Sequence, residues 1–176
     1  MSALKRVKEY ALSDADIRKV LGNDIQIWNY PQLKGLSNID EMFDRKGRAI
    51  LLFPNSGPYS GHWTCLIRKP RQIEFFDSYG EPPEEQKDGL PQSKLEQYDI
   101  DTPELTRLLR GSSVPVYYNT HQFQSNNMDV ASCGRHCIVR LFYAPYSLNK
   151  YKSVIDKSGM SADDFVSALV YNYLKR

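Results

Sequence analysis

Two strand-like runs, His62 to Ile67 and Ile73 to Asp77, flank the turn-like Arg68-Lys69-Pro70-Arg71, and together they constrain this chain more than any other feature. Adjacent antiparallel strands set the start of the first beside the end of the second. His62 and Asp77 stand at those two places, so a local hairpin is enough to pair an imidazole with a carboxylate. Just upstream, Ala49-Ile50-Leu51-Leu52-Phe53 is a compact apolar run closed by Pro54 and Gly57, as expected of a buried strand.

The remaining punctuation predicts helices around this sheet. Ser13 opens and Gly22 closes a short helix, Ile25 to Trp28 reads as a strand, and Ile39 to Phe43 reads as another short helix. Pro103 opens a helix reaching Arg110, and Val114 to Tyr118 is a further strand. Ser161-Ala162-Asp163-Asp164 caps an amphipathic helix expected to bury Phe165, Leu169, Val170, Tyr173 and Leu174 on one side. Residues Gly80 to Pro91 form the most polar stretch and read as a surface loop. There is no internal repeat. The expected fold is α+β: one domain over residues 1–176, with a small central sheet, a helix beginning at Cys133 packed on it, and other helices around.

Cys133 sits in Ser132-Cys133-Gly134-Arg135-His136-Cys137, ahead of the helix-compatible Ile138-Val139-Arg140-Leu141-Phe142-Tyr143. A cysteine at a helix mouth feels unpaired N–H groups and the positive end of the helix dipole, both of which favour thiolate. Gly134 leaves room beside the sulfur for a substrate backbone to approach. Upstream lie Gly61-His62-Trp63, Phe76-Asp77-Ser78, and Gln122-Phe123-Gln124. A base, an acidic orienter, an amide donor and a nucleophile therefore occur in the order His62, Asp77, Gln124 or Gln122, Cys133. Those are the parts that thiol-dependent acyl transfer requires. His121 is a candidate cleft residue, His136 reads as structural or surface, and Cys65 and Cys137 read as core fillers.

The 23 Lys+Arg against 21 Asp+Glu leave a net charge of +2, too small to argue for nucleic-acid binding from charge alone. The three cysteines lack metal-ligand spacing, so no metal or cofactor is expected. The amino terminus has no signal-peptide core and no run approaches a membrane span, so the chain reads as soluble, in a reducing compartment where a free thiol survives.

His-Trp, then Phe-Asp-Ser, then Gln ahead of Cys-Gly at a helix start resembles the adenain-like cysteine peptidases. That group spans the adenovirus maturation protease, proteases of large DNA viruses, virophages and virus-like transposons, and the SUMO/ubiquitin-like-protein proteases. The resemblance covers roughly residues 48 to 145, and its order differs from the Cys, His, Asn order of papain-like enzymes. It implies a small mixed sheet with the nucleophile at the N-terminus of a central helix. It also implies that His62 is the general base, Asp77 its orienter, Gln124 or Gln122 and the Cys133 backbone N–H the oxyanion donors, and Cys133 the nucleophile. Trp63 would pack beside the base, and Trp63 and Gly134 would line the cleft. The short chain, beginning near its catalytic segment, points within the family to a viral maturation protease. Such an enzyme would be a monomer in virion and host cytoplasm, cutting capsid or other structural precursors at glycine-containing sites, with a peptide or DNA activator left open. A deconjugase for a ubiquitin-like protein, an effector-type acyltransferase with the same His-Asp-Cys set, and a catalytically silent binding module are the other readings.

Overall fold

The computed structural model describes residues 3–175. Five strands form one sheet in the order β1-β2-β3-β4-β5: β1 Gln26–Asn29, β2 Arg48–Gly57, β3 Ser60–Lys69, β4 Gln72–Phe76 and β5 Val116–Tyr118. The inner pairs β2/β3 and β3/β4 are antiparallel, whereas the outer pairs β1/β2 and β4/β5 are parallel, so the sheet is mixed. The helices are α1 Ala3–Glu9, α2 Asp14–Leu21, α3 Gln92–Gln97, α4 Glu104–Arg110, α5 Cys133–Phe142, α6 Leu148–Ser158 and α7 Ala162–Leu174. The α+β expectation holds.

The β3/β4 hairpin is tighter than its sequence suggested. Lys69 already pairs with Gln72, so only Pro70 and Arg71 make the turn. Strand β2 also runs further, through Pro54 to Gly57, with a register shift between those two residues. Gly61 lies against that irregularity, and a Cβ there would sit 1.9 Å from the Phe53 carbonyl oxygen. Only glycine permits the approach.

Both faces of the sheet are covered, which is why β2 reads as an unbroken apolar run. On one face Ile50, Leu52, Trp63, Cys65, Ile67 and Phe76 pack against α2, α5, α6 and α7. On the other, Ala49, Leu51, Phe53, Leu66, Ile73 and Phe75 pack against the 3-10 segments Tyr30–Gly35 and Ile39–Met42 and against α4.

Three helices escape a reading based on apolar periodicity: α1, α3 and α6. Helix α7 begins where Ser161 predicts, with the Ser161 side chain accepting from the Asp164 N–H, but its buried stripe is rotated. Asp163, Val166, Ser167 and Val170 are buried, Phe165 and Leu169 only partly so, and Tyr173 is 44% exposed. Two polar residues belong to that stripe, and a count of apolar side chains passes over them.

Helix α5 is clamped to the sheet at its far end by an ion pair. Arg140, fully buried, donates through Nε and Nη2 to the two carboxylate oxygens of Glu74 on β4, at 2.8 and 2.9 Å. Its remaining N–H groups reach the Tyr143 and Tyr146 carbonyls, and its guanidinium lies over the Tyr151 ring. Removing one partner leaves the other charge buried and unpaired, which typically costs about 3–5 kcal/mol. Glu74→Gln and Arg140→Met should each lower unfolding free energy by that order in urea titration. A loss under about 1 kcal/mol for both would show that the clamp carries little of the fold.

Candidate active site

The hairpin and α5 meet at one end of the sheet, where His62, Asp77 and Cys133 come together. His62 is the third residue of β3 and Asp77 the first after β4. His62 Nε2 lies 2.8 Å from Asp77 Oδ1, and the imidazole is also hydrogen-bonded to the Cys133 sulfur. With Nε2 committed to Asp77, the nitrogen left for the sulfur is Nδ1. Cys133 is the first residue of α5, and its Sγ accepts from the Trp63 backbone N–H at 3.5 Å and from the Gly134 N–H.

Charge follows geometry here. Burial alone would pull the His62 pKa down, but hydrogen bonds to Asp77 and Cys133, and their negative charges, raise it to about 10. Burial raises the Cys133 thiol, yet the His62 hydrogen bond and charge, with the Trp63 and Gly134 N–H groups, bring it below its ordinary value. The same contacts hold Asp77 low against its own burial. All three shifts favour one state: carboxylate, imidazolium, thiolate.

Asp77 is fully buried and densely held. Its Oδ1 accepts from the Tyr79 N–H at 2.9 Å and its Oδ2 from Gln86 Nε2 at 2.7 Å. Its backbone N–H donates to Asn119 Oδ1, and its carbonyl accepts from Asn119 Nδ2. The Tyr79 ring stacks on His62 with centroids 5.1 Å apart. Gln86 comes from the stretch expected to be a plain surface loop. In fact Glu84 ties that stretch down, accepting from the Tyr30 hydroxyl and from the Thr106 N–H and pairing with Lys87. Polar composition marks such a segment as loop and conceals that it is a strap.

Of the two glutamines, Gln122 is exposed and spends its Nε2 on the Gln124 carbonyl and on Asn126 Oδ1. Gln124 is buried. Its amide oxygen accepts from Ser78 Oγ at 2.7 Å and its Nε2 donates to the Val130 carbonyl at 3.2 Å. An amide nitrogen carries two hydrogens, so Gln124 retains one donor and Gln122 none.

Trp63 forms a wall of the site, its indole N–H donating to the Leu12 carbonyl at 2.9 Å. Gly134 does something other than make room for a substrate. It is buried, and a Cβ there would stand 3.2 Å from Trp63 and 3.3 Å from Leu12, so its smallness lets α5 close on those two residues. A cavity of about 640 Å³ opens beside Trp63, lined by Leu12, Ile27, Trp28, Leu52 and Gly61 among others. Gly61 and Trp63 are the two neighbours of His62, so the cavity and the His62–Asp77–Cys133 cluster share a strand.

His121 is exposed and packs edge-on against Phe123. His136 is buried, with Nε2 2.9 Å from Asp163 Oδ1, and burial holds its pKa below the ordinary value. Cys65 and Cys137 are fully buried, and burial beside Cys65 pushes the Cys137 thiol well up. Arg135 is buried too and donates to the Tyr10 and Ala131 carbonyls, tying the start of α5 to the chain following α1. Among the described residues no cluster of three His, Cys, Asp or Glu side chains is placed to hold a metal, and no helix is long and apolar enough to cross a membrane.

No protein-family model matches the chain. Over 157 residues it is 35% identical to "Uncharacterized protein V9" of Sputnik virophage, covering 89% of either sequence. The chain belongs to the family of that virophage protein. Among solved structures it is similar to the C-terminal Ulp1 protease domain in complex with Smt3, the yeast ortholog of SUMO. The identity is 13% and the TM-score 0.37, over 98% of this chain and 76% of that one. A de-sumoylating protease gives 17% identity and a TM-score of 0.33, over 98% and 70% of the two chains.

The charge state has a direct consequence for reactivity. Iodoacetamide should modify Cys133 ahead of Cys65 and Cys137, at a rate that persists below the ~8.5 of a free thiol. His62→Ala removes the cation while burial remains, so the profile should move up to or beyond that value. Peptide mass mapping across a pH series reads both; first modification of Cys137 or Cys65, or a profile unmoved by the substitution, contradicts the assignment.

Proposed function

We propose that the chain is a thiol endopeptidase that cuts peptide bonds through a thioester on Cys133. The observation that carries this reading is the continuous chain of contacts from the buried Asp77 through the partly exposed His62 to the Cys133 sulfur at a helix N-terminus. A structural cysteine needs neither an imidazolium beside it nor a carboxylate behind that imidazole.

In the forward step the Cys133 thiolate attacks the carbonyl carbon of the scissile bond. A C–S bond forms and the carbonyl π electrons move to oxygen. That oxyanion is met by the Cys133 backbone N–H, which helix geometry leaves unpaired, and by the spare Gln124 donor. As the C–N bond breaks, the His62 imidazolium gives its proton to the departing amine. Water then adds to the thioester with His62 taking its proton, the C–S bond breaks, and the thiolate–imidazolium pair returns with a free carboxylic acid product. Asp77 stays ionised throughout and holds the imidazole in register.

The substrate lies extended past Trp63 into the cavity beside it, held by main-chain hydrogen bonds. The Trp63 wall leaves little bulk next to the scissile bond, which favours glycine there. Kinship with a virophage protein favours a viral structural precursor as the natural substrate, acted on by the protein as a monomer.

Cys133→Ala should abolish cleavage of a co-expressed capsid precursor. Gln124→Ala should lower turnover by ~10²–10³, the usual cost of one oxyanion donor, and Gln122→Ala should cost little. Steady-state kinetics separate the two glutamines, and an equal, small effect at both would remove the side-chain donor from the mechanism.

N-terminal sequencing of the fragments should find glycine beside each cut, with a single Gly→Val change there blocking cleavage. Cuts after large or basic residues would contradict the glycine rule. Efficient release of a folded ubiquitin-like protein, with structural precursors left intact, would assign the same chemistry to a deconjugase.

A further inference from the structure

The mechanism leaves one well-held carboxylate unused. Asp163, the second residue of α7, is 6% exposed and accepts three hydrogen bonds. They come from Ser132 Oγ at 2.6 Å, His136 Nε2 at 2.9 Å and the Ser125 backbone N–H at 3.0 Å. In sequence these donors are the residue before Cys133, the residue one helical turn after it, and the residue after Gln124.

That arrangement is not explained by helix stability. Ser132 is the N-cap of α5, yet its side chain makes no capping bond to its own helix and turns to Asp163 instead. Nor is it explained by activation of the thiol, since a buried negative charge behind a thiolate disfavours it. What the three bonds do achieve is mechanical. One carboxylate grips the loop that carries Gln124 and the helix start that carries Cys133, and α7 supplies the fixed point for both. The Gln124 side chain is held directly by Ser78 Oγ and the Val130 carbonyl, and its backbone N–H by the Ser78 carbonyl; Asp163 adds the tie that runs from this loop to the first turn of α5.

We propose that Asp163 is a positioning residue that fixes the Gln124 amide against Cys133 by holding Ser125, Ser132 and His136 at once. The proposal rests on the reading of Gln124 as an oxyanion donor. A misplacement of about 1 Å in such a donor is enough to cost ~10² in rate. Asn at position 163 keeps the size but turns an N–H₂ toward one of three donors, loosening the grip without opening a cavity.

The test uses the full chain and a fluorogenic peptide amide ending in Gly-Gly, with iodoacetamide as a second probe. Alkylation needs the thiolate but forms no oxyanion. Asp163→Asn should lower kcat roughly 10- to 100-fold with KM near wild type, while the Cys133 alkylation rate stays within about twofold. In a Gln124→Ala background the same substitution should cost less than about threefold more, because the group it positions is gone. A loss in kcat undiminished in that background, or an alkylation rate that falls with turnover, overturns the proposal. If Gln124→Ala alone leaves kcat unchanged, the oxyanion reading fails first and takes this one with it. Should Asp163→Asn not fold by thermal melt, Ser132→Ala removes one of the three grips and should show a smaller loss with the same dependence on Gln124; independence from Gln124 overturns the proposal there too.

Discussion

The antiparallel ladder between β3 and β4 is the constraint on which the rest depends. It pairs Cys65 with Phe76 and ends there, so Asp77 leaves the sheet beside the His62 end of the neighbouring strand. Backbone geometry thus delivers positions 62 and 77, an imidazole and a carboxylate in this chain, to one place. The sulfur arrives by a different route, since α5 packs on the same strands and the Trp63 N–H meets Cys133 Sγ. A shift of either element would separate the imidazole from one of its two partners.

Electrostatics then make the site depend on pH at both ends. His62 has a raised folded value, so its contribution to stability is complete below the ~6.5 of an unfolded imidazole and is lost as pH rises through about 10. Cys133 has a lowered value, so its contribution is present above the unfolded thiol value and is lost as pH falls through the folded one. Between those limits the ion pair is intact. Burial works against both charges, and what offsets it is chiefly their own hydrogen bond and attraction, with the Asp77 carboxylate behind His62 and the Trp63 and Gly134 N–H groups at the sulfur adding to it.

Helix α5 is held at two ends by polar contacts, where apolar packing alone would leave it free to slide. Arg140 fixes its last turn to Glu74 in β4, and Ser132 and His136 fix its first turn to Asp163 in α7. Under the proposed mechanism, a Cys133 thiolate that works with His62 on β3 and the Gln124 amide on the preceding loop needs that kind of support.

His62, Asp77 and Cys133 were legible in the sequence because each sits at a local signal, a strand end or a helix start. Gln124 was visible only as one of two, and burial with a spare donor distinguishes it from Gln122. Gln86, Asp163 and Arg140 were not legible as partners of the site or its helix. Their roles arise from contacts across 9, 31 and 66 residues, and no periodicity encodes them. Gly134 misled for a related reason. A glycine after a cysteine suggests access, whereas the neighbours that need its space, Trp63 and Leu12, come from distant segments. The central claim is that Cys133 and His62 rest as thiolate and imidazolium. Nitrogen-15 NMR of labelled histidine tests it most directly: both His62 ring nitrogens should remain protonated at pH 8 and titrate near 10, with the value falling in Cys133→Ala. A His62 that is neutral at pH 8, titrating at or below ~6.5, would contradict it.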